Sequence, residues 1–599
     1  MTGTSPEKIY EAEKQKHETA LQELKRKQNL YGWLRLLIIV VGAITAFYVF
    51  NVSLAAGGFV VACTIGFFLW LISRDTENNK QIAHRKALVG VNEDELDFLG
   101  GRFQQHFDGS AFLPHEHPYA HDLDLFGPAS IFQYINRGSS EQGRALLAQN
   151  LLTALPVEQV LQRQEAIREL APQYEWRQQW QAILSQTSLT QHTEKKVEAW
   201  IENDDDAFTT SGWKLFVQFY SVVMIALAVM AVLQIIPGSI FFFIFVLSIV
   251  FSNYLGRSAL KTNADLTGIV KEVGVLSRGM QWVEEKQFSA PQLQQLQRSV
   301  SSGEETAHQS IGSLKKLLDR FDLRFNWMLF LFLNGFLLWD VRQLRALNAW
   351  KKTHRQQVPQ WYALIAEMEV LNSLATLHFN QPAWAMPTFS DGHFTLSAKE
   401  LGHPLLPSQQ RVCSDFSTKG KGKVALITGS NMAGKSTFLR SLGVNVVLAQ
   451  MGAAVCANEF LLSPNQLMTS MRIADNLAES TSTFYAELKK LKTIIEAVNR
   501  HEPVFILLDE ILRGTNSLDK HTGSEALIRQ LIREDAVAVL ATHDVELSKL
   551  EDEYPNALAN YHFDVQVSGE ELYFDYKLKP GVCTNLNASI LMKKVGIDV

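Results

Sequence analysis

The residues with the clearest potential for chemistry form a glycine-rich loop in the C-terminal third of the chain. The loop fits the pattern G-x-x-x-x-G-K-[ST] at every fixed position and consists of Gly429, Ser430, Asn431, Met432, Ala433, Gly434, Lys435 and Ser436. An apolar run, residues 424–428, precedes it, and a helix-favouring stretch begins at Thr437, which we include in the site. Strand, loop and helix in this order predict a phosphate site, because glycines let backbone N–H groups converge on phosphate oxygens. We expect Lys435 to contact the β- and γ-phosphates of a nucleotide and the Ser436 hydroxyl to bind Mg²⁺.

A pair of acids forms the second part of the predicted site. Residues 504–508 are consecutive apolar residues, as in a fully buried strand, and Asp509 and Glu510 come directly after them. An acid at the carboxyl end of a central parallel strand faces the nucleotide crevice. We therefore predict that Asp509 holds Mg²⁺ through water and that Glu510 polarises the attacking water as general base.

A histidine ends another apolar run. Residues 536–541 are followed by Thr542 and His543. A histidine at this position can hydrogen-bond a γ-phosphate or the attacking water, although an isolated histidine more often has a structural role. Together with the loop and the acids, the pattern favours a catalytic role for His543. Apolar runs that alternate with helices beyond residue 394 predict an α/β domain of the P-loop type.

Four ordered segments resemble the MutS family of DNA mismatch-repair ATPases. They are residues 428–457, 472–488, 507–519 and 541–547. The resemblance implies an ABC-type ATPase that binds ATP with Mg²⁺ and works as a homodimer with composite sites. It also implies that Ser482 reaches the partner's γ-phosphate and that Asp519 lies in the loop between subunits. Ser480 departs from the family, which has glycine two residues before that serine.

A fainter resemblance to the same family covers part of the preceding helical region. Residues 123–171 are similar to the start of the family's helical lever domain, residues 361–377 to its end, and residues 400–404 to the entry of the ATPase domain. The family's mismatch-reading N-terminal domain has no counterpart, and an apolar hairpin interrupts the lever where the family inserts its DNA clamp. The family's adenine-side aromatic residue falls near Arg411, which leaves the contact to the base open.

Four apolar stretches predict a membrane protein. Residues 31–50 and 54–72 form one pair and residues 213–236 and 239–255 a second, and each stretch has about the length that spans a ~30 Å hydrocarbon core. The alternative is buried core helices, but soluble helices in tandem rarely lack a polar face over such lengths. Positive residues flank both pairs while the connecting turns are uncharged, so the positive-inside rule places all large segments in the cytoplasm. We expect a multi-pass protein of the cytoplasmic (inner) membrane.

Two further stretches each have two interpretations. Residues 327–339 are apolar but shorter than a span, which favours a buried helix of a soluble domain, with an interfacial or membrane-embedded helix as the alternative. Residues 6–29 are highly charged, which favours a solvated helix, with a short coiled coil as the alternative.

These features predict α-helical membrane hairpins and a helical lever domain, followed by a C-terminal α/β P-loop NTPase domain of the ABC/MutS type. The predicted segments are a charged helix at 1–30, hairpin 1 at 31–73, the first lever part at 86–212, hairpin 2 at 213–255, the second lever part at 256–385 and the ATPase domain at 390–599.

Composition limits the class of function. The 599 residues include 56 Lys and Arg against 62 Asp and Glu, a net charge of −6, so no global positive field attracts nucleic acid. The four cysteines form no C-x-x-C pair. This disfavours a zinc site or a disulfide framework and fits a reducing compartment.

The sequence leaves the output of the ATPase open. In one hypothesis, a membrane-anchored homodimer couples ATP hydrolysis to binding of DNA, including mismatched or branched DNA, in repair or recombination. Because the mismatch-reading domain is missing, we expect no preference for mismatched DNA. In the other, the ATPase drives a protein or membrane rearrangement or signal without DNA. A transporter is disfavoured by the tiny outer turns and by the lack of charged residues deep in the spans. The sequence identifies no protein partner besides a second copy of the chain.

Overall fold

The computed structural model contains a helical part up to residue 380 and a mixed α/β part from residue 388. It describes residues 5–203, 208–257, 266, 268–300, 305–392, 394–430, 433–472, 483–568 and 571–583. The glycine-rich loop lies in the mixed part. The helical part is joined to the part that carries the loop by the chain after residue 380 and by packing between the two parts.

The first two helices form a long antiparallel hairpin. Helix α1, Pro6–Phe50, and helix α2, Leu54–Leu99, contain 45 and 46 residues. Ser53 is the N-cap of α2, and its hydroxyl accepts a hydrogen bond from a backbone amide of the first turn. Most side chains in the charged half of α1 are exposed or partly exposed, whereas Tyr10 and His17 are buried against neighbouring helices. This half packs along α2, where Asn78 Nδ2 donates to the Leu24 carbonyl at 3.0 Å.

Five shorter helices follow this hairpin. They are α3, Ile131–Ile135; α4, Glu141–Leu152; α5, Val157–Leu170; α6, Tyr174–Leu184; and α7, Gln191–Glu202. The charged end of α2 is joined to α6 by side-chain hydrogen bonds, among them one from Gln178 Nε2 to Asn92 Oδ1 at 2.9 Å. Hairpin 1 is therefore fixed to the helical part at the end that lies farthest from its turn.

A second apolar hairpin follows α7. Helix α8, Ser211–Val232, is separated from helix α9, Gly238–Leu255, by a short turn. Among the described residues, α1, α2, α8 and α9 are the helices long and apolar enough to cross a membrane. Their large apolar side chains are exposed, as at Phe219 and Phe242. Apolar surface of this extent needs lipid or a partner to cover it.

Three helices after the second hairpin belong to the helical part again, and a fourth helix lies against the hairpin. The returning helices are α10, Val270–Glu284; α11, Pro291–Val300; and α12, Ala307–Phe321. Helix α13, Trp327–Leu337, comes next and lies against the second hairpin, where Tyr220 donates to the Gly335 carbonyl at 3.0 Å. The prediction of a buried soluble helix for this stretch is wrong, because Trp327 is 71% exposed. Among the described residues, none covers the exposed side chains on the outer face of α13.

Helix α15 lies at the centre of the helical part. It spans Val358–Asn380 and follows α14, Trp339–His354. Seventeen of its 23 residues are buried, so it is packed on all sides, as expected for a core helix. Each buried Leu contributes about 1.5–3 kcal/mol to folding. The helix ends shortly before the first strand, so it links the helical part directly to the mixed part.

Ten strands form two sheets in the mixed part. They are β1, Thr388–Phe389; β2, Thr395–Leu401; β3, Ser414–Lys419; β4, Val424–Thr428; β5, Glu459–Leu462; β6, Gln466–Ser470; β7, Val504–Asp509; β8, Val537–Thr542; β9, Leu558–Ser568; and β10, Glu571–Pro580. One sheet has the order β1-β5-β2-β3, and the larger has the order β10-β9-β4-β8-β7-β6. In the larger sheet only β10 pairs antiparallel. The prediction of an α/β C-terminal domain is confirmed.

The register of the larger sheet brings the predicted site together. The helices that flank the two sheets are α16, Lys435–Gln450; α17, Thr483–Asn499; α18, Ser517–Arg533; and α19, Leu550–Glu553. Thr428 at the end of β4 is opposite Thr542 at the end of β8, and Asp509 of β7 is opposite Ala541. The three strands therefore end at the same edge, where α16 begins.

Candidate active site

The glycine-rich loop connects β4 to α16 through two glycines with positive φ. Gly429 has φ 146°, and a Cβ there would lie 3.2 Å from the Phe563 carbonyl oxygen on β9. Gly434 has φ 102° and is the N-cap of α16. A side chain would strain the backbone at both positions. Of the predicted loop residues, Asn431 and Met432 lie outside the described residues.

Lys435 is turned into the loop rather than toward solvent. Its side chain is buried, and Nζ donates hydrogen bonds to the carbonyls of Gly429 at 2.7 Å and Ser430 at 2.9 Å. Burial lowers the pKa of Lys435 to about 8, against the attraction of Glu510 and Asp509. Phosphate oxygens at the loop would restore the charged form, because an adjacent anion stabilises the ammonium ion.

The side chains of Glu510 and His543, which follow the ends of β7 and β8, are in direct contact. The Glu510 carboxylate contacts the His543 imidazole, and the Glu510 amide donates to the Ala541 carbonyl at 2.9 Å. The hydrogen bond from His543 lowers the pKa of Glu510 to about 2, although burial opposes the shift. Glu510 has φ 49°, a left-handed conformation that is strained for this residue type. The predicted base and the predicted sensor thus act as one unit.

Arg513 is a charged neighbour of this pair that the sequence did not single out. Its Nε lies 3.3 Å from Glu510 Oε2, and its Nη2 donates to the Asp509 carbonyl at 3.2 Å. Through these two contacts, the guanidinium connects the turn after β7 to Asp509 and Glu510. An arginine three residues after an acid carries no recognisable sequence signal, because such pairs also occur on most solvated loops.

The oxygens around Asp509 fit a magnesium ion. Asp509 is buried at the end of β7, and its Oδ1 has no hydrogen-bond partner among the described residues. Ser436 lines the adjacent cavity and can supply a hydroxyl. No group of three or more His, Cys, Asp or Glu in the described part of the chain could hold a metal. One carboxylate, one hydroxyl and substrate phosphates are the set that Mg²⁺ takes in nucleotide sites.

A cavity of about 290 Å³ opens beside the loop. Its walls come from the loop, the segment before β3 and the C-terminal hairpin; they include His403, Gln410, Val412, Gly434, Ser436, Thr437, Phe438 and Tyr576. A Cβ at Gly434 would lie 3.1 Å from Cδ1 of Tyr576, so this ring lies next to the loop. Tyr576 was not predicted, because the hairpin that carries it has no motif and only the fold returns it to the loop.

The side chain of Arg411, near which the resemblance places the family's adenine-side aromatic residue, is held by its own segment. Its guanidinium donates to the Leu406 carbonyl at 2.6 Å and lies over the Trp384 ring, 5.5 Å from the centroid. The neighbours Gln410 and Val412 line the cavity instead. The side chain of Arg411 supports the segment before β3 from behind.

Of the two predicted inter-subunit residues, the structure describes Asp519, which does not line this cavity. Asp519 lies in the first turn of α18, is exposed, and accepts a hydrogen bond from Asn516 Nδ2 at 2.8 Å. Leu518 beside it is 74% exposed. Ser482 lies outside the described residues. Within the described residues, Asp519 therefore makes no contact to the glycine-rich loop of its own chain.

Asp122 connects the helical part to the segment before Ser482 and was not predicted. It is buried and accepts hydrogen bonds from the Thr469 hydroxyl at 2.6 Å and the Arg472 amide at 3.0 Å. Lys490 on α17 donates to the same carboxylate at 2.6 Å. An acid in an irregular segment more than 300 residues away gives no sequence signal for such a contact.

Comparison with known proteins supports the same assignment. Residues 425–594 match the family model described as MutS domain V. The chain is 31% identical over 251 residues to the DNA mismatch repair protein MutS of Thermotoga sp. (strain RQ2), which covers 41% of this chain and 31% of that protein. It is 35% identical over 228 residues to the DNA mismatch repair protein MutS of Chlorobium phaeovibrioides, an alignment that covers 37% of this chain and 26% of that protein. It is 29% identical over 256 residues to the DNA mismatch repair protein MSH3 of Candida albicans, an alignment that covers 40% of this chain and 24% of that protein. The chain thus spans less than a third of the length of these relatives.

Proposed function

Because this chain belongs to the MutS family through its C-terminal domain, we propose that it is a membrane-anchored ATPase that converts ATP and water to ADP and phosphate. The observation that supports this most directly is the Glu510–His543 pair at the strand ends beside Lys435. A nucleotide held by the loop places its γ-phosphate between these side chains. The four apolar helices support the membrane anchor.

Nucleotide binding is the task of the loop and the cavity. The N–H groups at the start of α16 and the Lys435 ammonium bind the β- and γ-phosphates. Ser436 and Asp509 would hold Mg²⁺, which would neutralise charge on the phosphates. The base enters the cavity beside Tyr576, whose ring offers an apolar face for stacking.

Hydrolysis depends on the couple at the ends of β7 and β8. Glu510, ionised because of its low pKa, accepts a hydrogen bond from the attacking water and orients it in line with the γ-phosphate. His543 fixes the carboxylate and donates toward the charge that develops on the phosphoryl oxygens. Positioning of this kind is the main contribution that a protein makes to phosphoryl transfer.

A homodimer completes each site in this proposal. Lys435 and Ser436 approach the γ-phosphate from one side, so a partner must cover the opposite side with donors such as the Ser482 hydroxyl. Leu518, next to Asp519 in the chain, is 74% exposed and provides apolar surface that a second copy can bury. We place the soluble parts in the cytoplasm and the hairpins in the inner membrane.

The work done by the ATPase has two candidates. Relatives named for DNA mismatch repair favour DNA binding. The second candidate is ATP-driven remodelling or signalling at the membrane without DNA. It is favoured by the direct joining of both apolar hairpins to the helices that lead into the ATPase domain.

One experiment tests the enzyme and its output together. ATP hydrolysis by the full chain in lipid nanodiscs is measured alone and with homoduplex, mismatched and branched DNA, across a salt series. Glu510→Gln should bind ATP but lose turnover by at least about 100-fold, whereas Lys435→Ala should lose binding. Wild-type turnover in Glu510→Gln would contradict the assigned base. Stimulation by DNA that falls with salt supports the DNA candidate, and unchanged turnover at low salt supports the membrane candidate.

A further inference from the structure

Helix α13 and the 3-10 turn before it, Asp322–Phe325, expose an apolar surface outside the four long helices. Phe325, Trp327 and Phe332 are 70%, 71% and 60% exposed. Apolar side chains this large are rarely exposed side by side in water. We infer that this segment is a fifth membrane-inserted element, a short helix that enters the bilayer from one side and contacts acyl chains without spanning.

The polar groups of α13 are turned away from the exposed face. The Gly335 carbonyl accepts hydrogen bonds from Tyr220 on α8 at 3.0 Å and from Ser248 on α9 at 3.2 Å. Asn334 Oδ1 accepts one from Ser252 on α9 at 3.1 Å. The face of α13 away from the hairpin is thus apolar, and these oxygens on the face toward the hairpin are hydrogen-bonded. A hydrocarbon environment requires this arrangement, because it offers no partner to a polar group.

The inner face of α13 fits closely against the second hairpin. A Cβ at Gly335 would overlap the Phe245 ring, so a larger residue would have to displace that ring. The Phe336 ring lies 5.2 Å from that of Phe245 and 6.3 Å from that of Phe241. Because Phe241 and Phe245 belong to the spanning helix α9, the contact places α13 at the depth of the bilayer rather than above it.

Helix α13 is too short to cross the bilayer, and the chain turns back directly after it. Eleven residues give a rise of about 16 Å, roughly half of the hydrocarbon thickness. The chain turns back at Leu338, which has φ 47°, and α14 begins at the next residue. Trp339 Nε1 donates to the Arg320 carbonyl at 3.0 Å, so the two arms of the segment are joined at its base.

A buried charge pair closes this base. Arg324 Nη2 lies 3.5 Å from Asp340 Oδ2, and both side chains are buried. The Asp340 amide donates to Asn334 Oδ1 at 3.0 Å, which ties the start of α14 to the end of α13. Since α14 leads to the core helix α15, the inserted segment is connected by backbone and by these contacts to the ATPase side of the molecule.

Lipid is the occupant of this surface, because the surface is continuous with that of the hairpin. Helices α8 and α9 expose Val222 and Phe242 at 66%, and α13 packs beside them. A membrane that receives the hairpin necessarily borders α13 as well. The inference rests on the proposed membrane anchoring, and its test separates the two.

The test is lipid quenching of a fluorophore at single sites of the full-length protein in nanodiscs. Exposed Cys63 and half-buried Cys413 are replaced by serine, and a bimane label is attached at Phe332→Cys, at Val222→Cys on α8 or at Leu161→Cys on α5. Leu161 is the matched control, an apolar residue 45% exposed on a helix of the lever. Brominated acyl chains should quench the labels at Phe332 and Val222 several-fold more than the label at Leu161.

Each outcome decides between the claims. Quenching at Val222 but not at Phe332 overturns the inserted helix and leaves the anchoring intact. Equal, weak quenching at all three sites overturns both. A disulfide between two Phe332→Cys chains, together with loss of quenching at that site, shows that a second copy rather than lipid covers the surface and overturns the inference.

Discussion

The Tyr10 hydroxyl donates a 2.7 Å hydrogen bond to Asn380 Oδ1, which joins the first helix of the chain to the last residue of the core helix α15. Asn380 Nδ2 in turn donates to Glu95 on α2 at 2.7 Å, and Glu95 is paired with Arg137. All four side chains are buried. Hairpin 1 therefore meets the end of the lever, a few residues before the ATPase domain, through a polar network that water does not reach.

Replacing Tyr10 by Phe should loosen this junction. The substitution leaves the buried Asn380 Oδ1 without its donor, at a cost of about 1–3 kcal/mol in the free energy of unfolding. Thermal unfolding of the detergent-solubilised protein measures the loss. Tyr174→Phe, which removes a half-exposed hydroxyl, is the control and should be close to neutral. Equal stability of the two variants would show that the network contributes nothing.

The affinity for ATP should fall as the pH rises above 8. Lys435, with a pKa of about 8 in the structure, is charged below this value, so binding of ATP takes up no proton there. Above it, most molecules must bind a proton together with the phosphates, and the Kd should rise by about tenfold per pH unit. Calorimetry in buffers of different ionisation enthalpy measures the proton uptake. Lys435→Arg should abolish the uptake, because arginine stays charged; persistent uptake would point to another group.

Tyr576 should contribute to affinity for the base but not for the phosphates. Stacking of a base on an aromatic ring is worth about 1–3 kcal/mol, so Tyr576→Ala should weaken ATP binding by about 5- to 150-fold. Tyr576→Phe keeps the ring and should bind ATP nearly as the wild type does. Binding of inorganic tripolyphosphate, which has no base, is the control and should be equal in all three proteins. An equal loss for tripolyphosphate would mean that the ring supports the loop instead.

Mixed dimers should regain activity from two inactive parents. Lys435→Ala damages the phosphate loop of its own chain, and Ser482→Ala damages the contact that we assign to the partner's site. A heterodimer therefore retains one intact composite site. Hydrolysis well above that of either parent, in a mixture shown by cross-linking to contain heterodimers, is the expected result. Confirmed heterodimers without activity, or a fully active monomer, would contradict composite sites.

Asp122→Asn should reduce turnover more than ATP binding. Asparagine keeps an oxygen for the Thr469 hydroxyl but loses the charge that holds Lys490, and hydrogen bonds to charged groups are worth about 1.5–3 kcal/mol. The segment that leads toward Ser482 would lose its fixed start, while the loop around Lys435 is untouched. Comparing kcat with the ATP Kd tests this. Glu116→Gln, at an exposed carboxylate that pairs with Lys489, is the matched control and should change neither.

The sequence by itself determined which residues gather at the strand ends. Asp509 and Glu510 follow one apolar run, His543 lies at the end of a second, and the glycine-rich loop with Lys435 follows a third; the content of these runs predicts buried parallel strands. Parallel strands share one carboxyl edge, so the side chains after them must converge. The apolar length of the hairpins is likewise a local property, which is why four candidate spans are readable without a fold.

Only the tertiary structure showed which residues contact the site from distant parts of the chain. Tyr576 reaches the glycine-rich loop because β10 folds back antiparallel on β9, and Asp122 reaches Arg472 across 350 residues. The sequence did not predict that the outer face of α13 is exposed, because the composition of this helix suits a protein core and a bilayer equally well. What separates the two is which face carries the hydrogen-bonded polar groups, and the neighbours α8 and α9 fix that face at Asn334 and Gly335. Composition is a property of the segment, whereas the environment of each face is a property of the assembled fold.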